Sequence, residues 1–302
     1  MKFKKTVLKL FAIALILAGG FWLFTGLKEK AALTSKTPIS RVSYLCKGQK
    51  TIEAAYYTGP PAPTPKPGEP PRPTGSVALK LSDGRSLELP QTISASGIRY
   101  ANQNESIIFW SKGNGAFVLE NNRQTFTGCV ALSPDPGNLP QAYADGTEGF
   151  SVRYPAGYKI NTDYRYQELG PGEEIGGVKF TIPQSTATGT NLSGYDTGVS
   201  VEEIPNTKDC QATLFVYPGA KTETVTDGGT QYSVATSTGA GAGNFYEEKI
   251  WAIPGTNPCV AVRYLIHSTN IYNYPPGAVK EFDRTSLLNQ FDEIRRSLIL
   301  AP

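Results

Sequence analysis

The chain offers few side chains that could catalyse a reaction. Its single histidine, His267, ends the apolar run CVAVRYLIH, where a polar ring at the end of a strand is an ordinary placement. Acidic doublets at 173–174, 202–203 and 247–248 could supply the two carboxylates of a glycoside hydrolase. Neighbouring side chains on a strand point to opposite faces, however, so a doublet does not aim both carboxylates at one bond. We therefore expect a protein that is not an enzyme and that needs neither a cofactor nor a metal.

Between residues 42 and 132 the sequence consists of short runs with alternating apolar residues, separated by turn signals. The runs are VSYLCK, TIEAAYY, SVALKL, SLEL, SIIFWS, AFVLE and QTFTGCVAL, and the turns include SDGR, KGNG and ENNR. Short strands at regular spacing, without a helical period, predict a mainly β fold built around a small antiparallel barrel or sandwich.

A proline-rich segment, residues 58–75, interrupts these strands with eight prolines in eighteen positions. Such a segment favours extended polyproline II conformations and cannot join a sheet. We therefore expect an excursion between the second and third strands. It is either a tolerated loop insertion or an arm that docks onto a wall polymer or a partner.

The region 42–132 resembles the family of membrane-bound inhibitors of c-type lysozyme. The resemblance is carried by SASGIRY at 94–100, by FWSKGNGA at 109–116 and by two cysteines that bound the region. It implies an eight-stranded antiparallel β-barrel, two of whose loops enter the substrate cleft of a c-type lysozyme and so protect peptidoglycan. The segment ANQNES between the two motifs is somewhat longer than in the family's pattern.

The resemblance also implies which residues bind the partner. Ser96 and Lys112 correspond to the serine and lysine that the family uses against the catalytic carboxylates of lysozyme, and they lie sixteen positions apart. The flanking residues expected to take part in binding are Gly97, Gly113, Asn114 and Tyr100, with a place in the barrel core as the alternative for Tyr100.

The chemistry of these side chains suits that role. Lysozyme uses a protonated glutamic acid and an ionised aspartate. The Lys112 ammonium offers three donors and a positive charge for the aspartate, and the Ser96 hydroxyl can donate to or accept from the glutamic acid. Phe109 and Trp110 are expected in the barrel core, where they would hold the lysine turn rigid.

The alternative to a lysozyme inhibitor is a non-catalytic module that binds glycan or protein partners in the cell envelope.

The remainder of the chain predicts a second domain. Residues 133–147 are rich in proline, glycine and aspartate, which predicts a linker. Over 148–302, Asp283 could cap a C-terminal helix. Its apolar face would comprise Leu287, Leu288, Phe291, Ile294 and Leu298. Six apolar runs predict strands: FSVRYP, GVKFTI, GVSVEEI, QYSVATS, FYEEKIWAI and CVAVRYLIH. We expect an α+β domain with an antiparallel sheet, and its FSVRYPAGY, CVAVRYLIHSTN and FDEIRRSLIL segments resemble the PsbP-like fold.

The four cysteines lack the C-x-x-C spacing of zinc or redox sites. Three pairings are compatible with the sequence. The change of composition near residue 135 favours one disulfide per domain, which pairs Cys46 with Cys129 and Cys210 with Cys259.

The N-terminal residues carry a membrane signal. Four lysines within the first nine residues precede an uncharged run from Leu10 to Leu27. At about 1.5 Å per residue this run comes close to crossing a hydrocarbon core, and cleaved signals usually have shorter apolar regions. Residues 1–41 are thus expected to form a cytoplasmic basic stub, a single-pass anchor in the cell membrane and a short tether, with both domains outside the cytoplasm. If the signal is cleaved, the protein is secreted or periplasmic.

Charge is divided unevenly along the chain. The formal charge is +3 over residues 42–132 and −6 over residues 140–302. Lysines and arginines do not cluster with aromatic residues on one predicted element, so we do not expect a nucleic-acid partner.

Overall fold

The computed structural model describes residues 37–147 and 149–301. The run for which the sequence predicts a membrane anchor lies outside these residues. Within the two described ranges, no helix is long and apolar enough to span a membrane. From Ser40 onward the chain forms one contact unit, in which a barrel is followed by two sheets and a long helix.

The first eight strands close into an antiparallel barrel, which confirms the predicted mainly β, barrel-containing fold. Each strand pairs with the next in sequence, and β1 pairs with β8, so the barrel has no free edge. The strands are β1 (Ser40–Leu45), β2 (Thr51–Tyr57), β3 (Ser76–Leu81), β4 (Ser86–Thr92), β5 (Ile98–Ala101), β6 (Ile107–Lys112), β7 (Gly115–Glu120) and β8 (Arg123–Ala131).

Side-chain alternation along the strands fills the barrel interior. On β2, Ile52, Ala54 and Tyr56 are buried, whereas Thr51 and Glu53 are exposed. Because an interior packed with side chains resists deformation, the barrel is a rigid support for the loops at its ends.

The proline-rich segment 58–75 joins β2 to β3 and contains no strand. Its two ends meet where it leaves the barrel, because the Thr74 hydroxyl donates to the carbonyl of Pro60 at 2.6 Å. A Cβ placed on Gly59 would lie 1.6 Å from the Thr74 carbonyl oxygen, so this crossing needs a glycine. The segment is thus a closed excursion from the barrel wall.

Two antiparallel sheets follow the barrel. The smaller has the order β18-β10-β9 and contains β9 (Gln141–Asp145), β10 (Phe150–Tyr154) and β18 (Ile299–Leu300). The larger has the order β11-β12-β13-β17-β16-β15-β14. Its strands are β11 (Lys159–Tyr166), β12 (Ile175–Thr181), β13 (Gly198–Ile204), β14 (Thr222–Asp227), β15 (Thr230–Gly241), β16 (Asn244–Ala252) and β17 (Cys259–Thr269).

Strand β9 lies in the segment 133–147, for which the sequence predicts a linker. It pairs with β10 along its whole length, and the Tyr143 ring packs edge-on against Phe180 at 6.1 Å between centroids. The run QAYAD is too short to stand out among the surrounding proline, glycine and aspartate residues. It becomes a strand because it covers the exposed edge of β10.

The predicted C-terminal helix is present at Arg284–Arg296. The Asp283 carboxylate caps it by accepting from the backbone N–H of Ser286 at 2.9 Å. Leu287, Phe291 and Ile294 are buried in the core that the helix shares with the sheets. The α+β character of this part is therefore confirmed, while its likeness to the PsbP-like fold stays a prediction.

The cysteines form two disulfides, Cys46–Cys129 and Cys210–Cys259. One lies in the barrel and the other in the second part, which is the pairing that the composition favours. They join residues 83 and 49 positions apart. Disulfides that close loops of these lengths reduce the entropy of the unfolded chain and so stabilise the folded state by about 4 kcal/mol each.

Candidate functional site

Two loops at the same end of the β5–β6 hairpin carry the residues expected to bind lysozyme. Loop 93–97 leads into β5, and β6 ends at Lys112. Because Ile98 pairs with Ser111, Gly97 lies beside Lys112. Ser96 and Lys112 are thus brought onto neighbouring loops, and both are exposed.

Gly97 determines how closely the two loops approach. Its φ is +68°, in the left-handed region where a residue with a Cβ is strained. A Cβ at this position would lie 2.5 Å from the Ser111 carbonyl oxygen and 3.1 Å from the Cβ of Lys112. The contact between the Ser96 loop and the Lys112 strand therefore leaves no room for a side chain.

Trp110 fastens the Ser96 loop to β6 from outside the barrel. Its indole Nε1 donates to the Ser96 carbonyl at 2.8 Å, and the Ser94 hydroxyl donates to the same oxygen at 2.7 Å. The ring packs edge-on against Phe117 at 5.3 Å between centroids. The expectation of a core position is wrong for Trp110, because alternation along β6 turns Phe109 inward and Trp110 outward. That same alternation is the sequence signal that could have found its role.

Tyr100 lies in the barrel core and is 4% exposed. Its ring stacks with Phe109 at 6.2 Å, and burial raises the pKa of its phenol to about 12. A side chain in this position cannot meet a partner's surface. Tyr100 therefore occupies the core position, which the sequence left open as the alternative to a binding role.

The segment ANQNES, residues 101–106, does not separate the two loops. It forms the turn at the opposite end of the β5–β6 hairpin. The Asn102 side chain accepts from the backbone N–H of Ile107 at 2.9 Å, and Glu105 pairs with Arg99 at 2.9 Å. Extra length at this end leaves the register that brings Gly97 beside Lys112 unchanged.

The hairpin turn after Lys112 is held by the second part of the chain. Gly113, with a φ of +52°, and Asn114 form the two-residue turn to β7, and both are exposed. The Asn114 side-chain amide donates to the Leu300 carbonyl in β18 at 2.8 Å. The Asn114 carbonyl accepts from the Ala131 backbone N–H at 2.8 Å. Asn114 therefore positions the lysine turn against the C-terminal strand.

Further contacts fix the barrel against the smaller sheet beside this turn. The Ser151 hydroxyl donates to the Ala131 carbonyl at 2.6 Å, and the Arg153 Nε donates to the Ser133 carbonyl at 2.6 Å. A cavity of about 450 Å³ opens beside the turn that follows Lys112 and is lined in part by Lys112, Gly115 and Ala301. Ala301, which follows β18, thus lies at the same cavity as Lys112.

The acidic doublet 247–248 points in two directions, as expected for neighbours on a strand. Glu247 pairs with Arg284 at 2.6 Å, and Glu248 pairs with the buried Arg263 at 2.6 Å. Arg263 is also held by Glu202, which is equally buried. These carboxylates stabilise the second part of the fold, and the two of the doublet do not point at a common position where they could act on one glycosidic bond.

The histidine likewise has partners on both ring nitrogens, one in the turn before β13 and one in β16. The His267 Nδ1 lies 2.7 Å from a carboxylate oxygen of Asp196, and its Nε2 lies 3.1 Å from Asn244 Oδ1. Its ring stacks on Tyr246 at 4.4 Å. Across residues 37–147 and 149–301, no group of three or more histidine, cysteine, aspartate or glutamate side chains is arranged to hold a metal ion.

Comparison with known proteins agrees with the motifs of the barrel. Residues 44–126 match the family model of the membrane-bound lysozyme-inhibitor of c-type lysozyme. A stretch of 65 residues is 41% identical to the membrane-bound lysozyme inhibitor of C-type lysozyme from Yersinia enterocolitica, and it covers 22% of this chain and 53% of that protein. The chain thus spans about half the length of the curated relative that it matches. The resemblance drawn from the SASG and SKG motifs is confirmed for this domain.

Proposed function

We propose that the barrel inhibits a c-type lysozyme by placing the Ser96 loop and the Lys112 turn in the enzyme's substrate cleft. The observation that carries this proposal is the contact between the two loops, in which a Cβ on Gly97 would lie 3.1 Å from the Cβ of Lys112. A hydroxyl and an ammonium group are thereby exposed side by side at one end of a rigid barrel. The names of the matching family and relative support lysozyme as the partner.

The pair of groups is complementary to the catalytic pair of a lysozyme. An ionised aspartate accepts a charge-assisted bond from the Lys112 ammonium, and a protonated glutamic acid can exchange a hydrogen bond with the Ser96 hydroxyl. Each charge-assisted bond contributes about 1.5 to 3 kcal/mol. Because Trp110 and Ser94 already hold the Ser96 loop, little conformational entropy is lost when it binds.

The barrel acts outside the cytoplasm in this proposal, attached to the membrane by the apolar run that precedes the described residues. The lysines before the run support that orientation, and the name of the Yersinia protein supports membrane attachment. Extraction of cell membranes at alkaline pH tests the anchor, since a cleaved chain would leave the membrane fraction.

The inhibition is tested by adding residues 37–302 to a c-type lysozyme and following the lysis of cell walls. We expect Lys112→Ala to weaken inhibition about ten- to a hundredfold, which is the loss of one charge-assisted bond. Ser96→Ala should weaken it about two- to tenfold, which is the loss of one neutral hydrogen bond. Lys80→Ala is the matched control, because Lys80 is an exposed lysine on β3 that pairs only loosely with Glu53 at 3.5 Å. Wild-type protein that leaves lysis untouched would end the proposal. Binding to isolated peptidoglycan without any effect on lysozyme would favour the envelope-binding alternative.

A further inference from the structure

An open groove lies at one end of the seven-stranded sheet, on the face that carries the C-terminal helix. Its volume is about 560 Å³, within the usual range for small-molecule sites. Its floor comes from β15, β16 and β17, and its walls come from the segments around Asn270 and Phe282. None of its lining residues belongs to the Ser96 and Lys112 site.

Two aromatic side chains stand exposed in this groove. Phe245 is 44% exposed and Tyr272 is 91% exposed, whereas most large apolar side chains of this part are buried. Alternation along β16 places Phe245 on the same face of the sheet as Glu247 and Trp251. The C-terminal helix packs over this face at Trp251 and does not extend over Phe245. The groove therefore begins where the helix no longer covers the sheet.

The turn that presents Tyr272 is held rigidly. The Asn270 side chain accepts from the Tyr272 backbone N–H at 3.0 Å. The Asn270 backbone N–H donates to the Gly243 carbonyl at 2.8 Å, and the Asn273 side chain donates to the same carbonyl at 3.3 Å. An exposed aromatic ring on a braced turn can contact a ligand at little cost in conformational entropy.

The charges in the groove disfavour an anionic ligand. Arg284 pairs with Glu247 through Nε at 2.9 Å and Nη2 at 2.6 Å, so these two charges largely cancel. Glu281 also lines the groove and leaves it with a negative balance. The Arg284–Glu247 pair is partly exposed and still offers hydrogen-bonding groups to hydroxyls and amides.

We propose that this groove binds a chain of uncharged N-acetylated pyranose sugars. The faces of a pyranose ring carry C–H groups that are attracted to the electron-rich faces of aromatic rings such as those of Tyr272 and Phe245. Its hydroxyl edges are met by the Arg284–Glu247 pair, and the methyl groups of acetamido substituents find apolar surface at Ile271 and Phe282. A simple hexose chain lacks that last contact, and a polyanion is repelled by Glu281.

Isothermal titration of residues 37–302 with the tetramer of β-1,4-linked N-acetylglucosamine tests the proposal. We expect saturable binding, about tenfold weaker for Tyr272→Ala and for Phe245→Ala. Tyr195→Ala is the matched control, because Tyr195 is 92% exposed on the same part of the chain but does not line the groove. Urea unfolding of each variant shows that the fold is kept, since all three side chains are exposed.

Absence of binding to the N-acetylglucosamine tetramer overturns the proposal. So does equal weakening by Tyr195→Ala, or equal binding of the β-1,4-linked glucose tetramer. Lysozyme inhibition is measured separately on the same variants, and it is expected to be unchanged. A failure of the groove and a failure of the inhibitory loops are therefore distinguishable.

Discussion

Replacing Gly97 with alanine perturbs the contact on which the proposed inhibitory site depends. The new Cβ would lie 2.5 Å from the Ser111 carbonyl oxygen and 2.7 Å from the Trp110 Nε1. The carbonyl belongs to a paired strand and cannot move aside, so the Ser96 loop must shift outward. That shift separates Ser96 from Lys112 while leaving the buried residues of the barrel in place.

Gly97→Ala should affect both the stability of the fold and the geometry of the Ser96 loop. An alanine with φ near +68° costs about 1–2 kcal/mol relative to glycine, and this part weakens the fold. The outward shift also breaks the bond from the Trp110 indole to the Ser96 carbonyl, which contributes about 0.5–1.5 kcal/mol, and it misplaces the Ser96 hydroxyl. Together these effects should weaken lysozyme inhibition at least about tenfold.

The assay compares Gly97→Ala with Gly48→Ala. Gly48 has a φ of +72°, close to that of Gly97, but a Cβ there would meet nothing within 4 Å. The strain of an alanine at positive φ should therefore lower the free energy of unfolding in urea by a similar amount in both variants. Inhibition of wall lysis should fall for Gly97→Ala alone. Indole fluorescence should also change for Gly97→Ala, because Trp110 loses its hydrogen bond.

Inhibition by Gly97→Ala as strong as that by the wild-type protein would refute the reasoning, since it would mean that the closeness of the loops is irrelevant to the partner. An inhibition loss in Gly48→Ala as large as that in Gly97→Ala would refute it too, because the effect would then follow from general destabilisation.

Two further predictions concern the stability of the two parts. Glu202→Ala leaves the fully buried Arg263 with Glu248 as its remaining carboxylate partner. The substitution should lower the free energy of unfolding, measured by urea titration, by about 3 kcal/mol or more. A loss below about 1 kcal/mol would contradict the importance assigned to the Arg263–Glu202 pair. In the barrel, hydrogen bonding to Arg85 lowers the pKa of the Glu120 carboxyl, so its contribution to stability is present above the unfolded pKa of about 4.3 and is lost as the pH falls through the lower folded value. Glu120→Gln should thus flatten the decline of unfolding free energy below about pH 4.5, and an unchanged acid profile would show that the pair does not control it.

The strands that the sequence reveals are those with a buried face. TIEAAYY, SVALKL and CVAVRYLIH carry apolar residues at strand spacing, and all three are strands in the structure. The strands β11 and β14 were missed because they are the outer strands of the large sheet and are mostly polar. Their apolar content is too low for a periodic pattern, and they form because neighbouring strands offer hydrogen-bonding edges.

Among the motif residues, some positions are evident from the local sequence and others depend on the tertiary structure. Lys112 at the end of a strand and Gly113 in the turn are evident from FWSKGNGA, since turn chemistry is local. The burial of Tyr100 and the outward position of Trp110 depend on which face of each strand lines the barrel. The bond from Asn114 to Leu300 joins residues 186 positions apart and leaves no local signal.

The sequence by itself determined seven of the eight barrel strands, the C-terminal helix with its cap and the inhibitor-like motifs, because each depends on residues that are near one another in the chain. The four-residue strand β5 was not among the predicted runs. Tertiary structure alone decided that the Ser96 loop contacts Lys112 and that Phe245 and Tyr272 share a groove. The physical reason is that strand register and the packing of the helix bring together side chains whose separation in the chain carries no information about their distance in space.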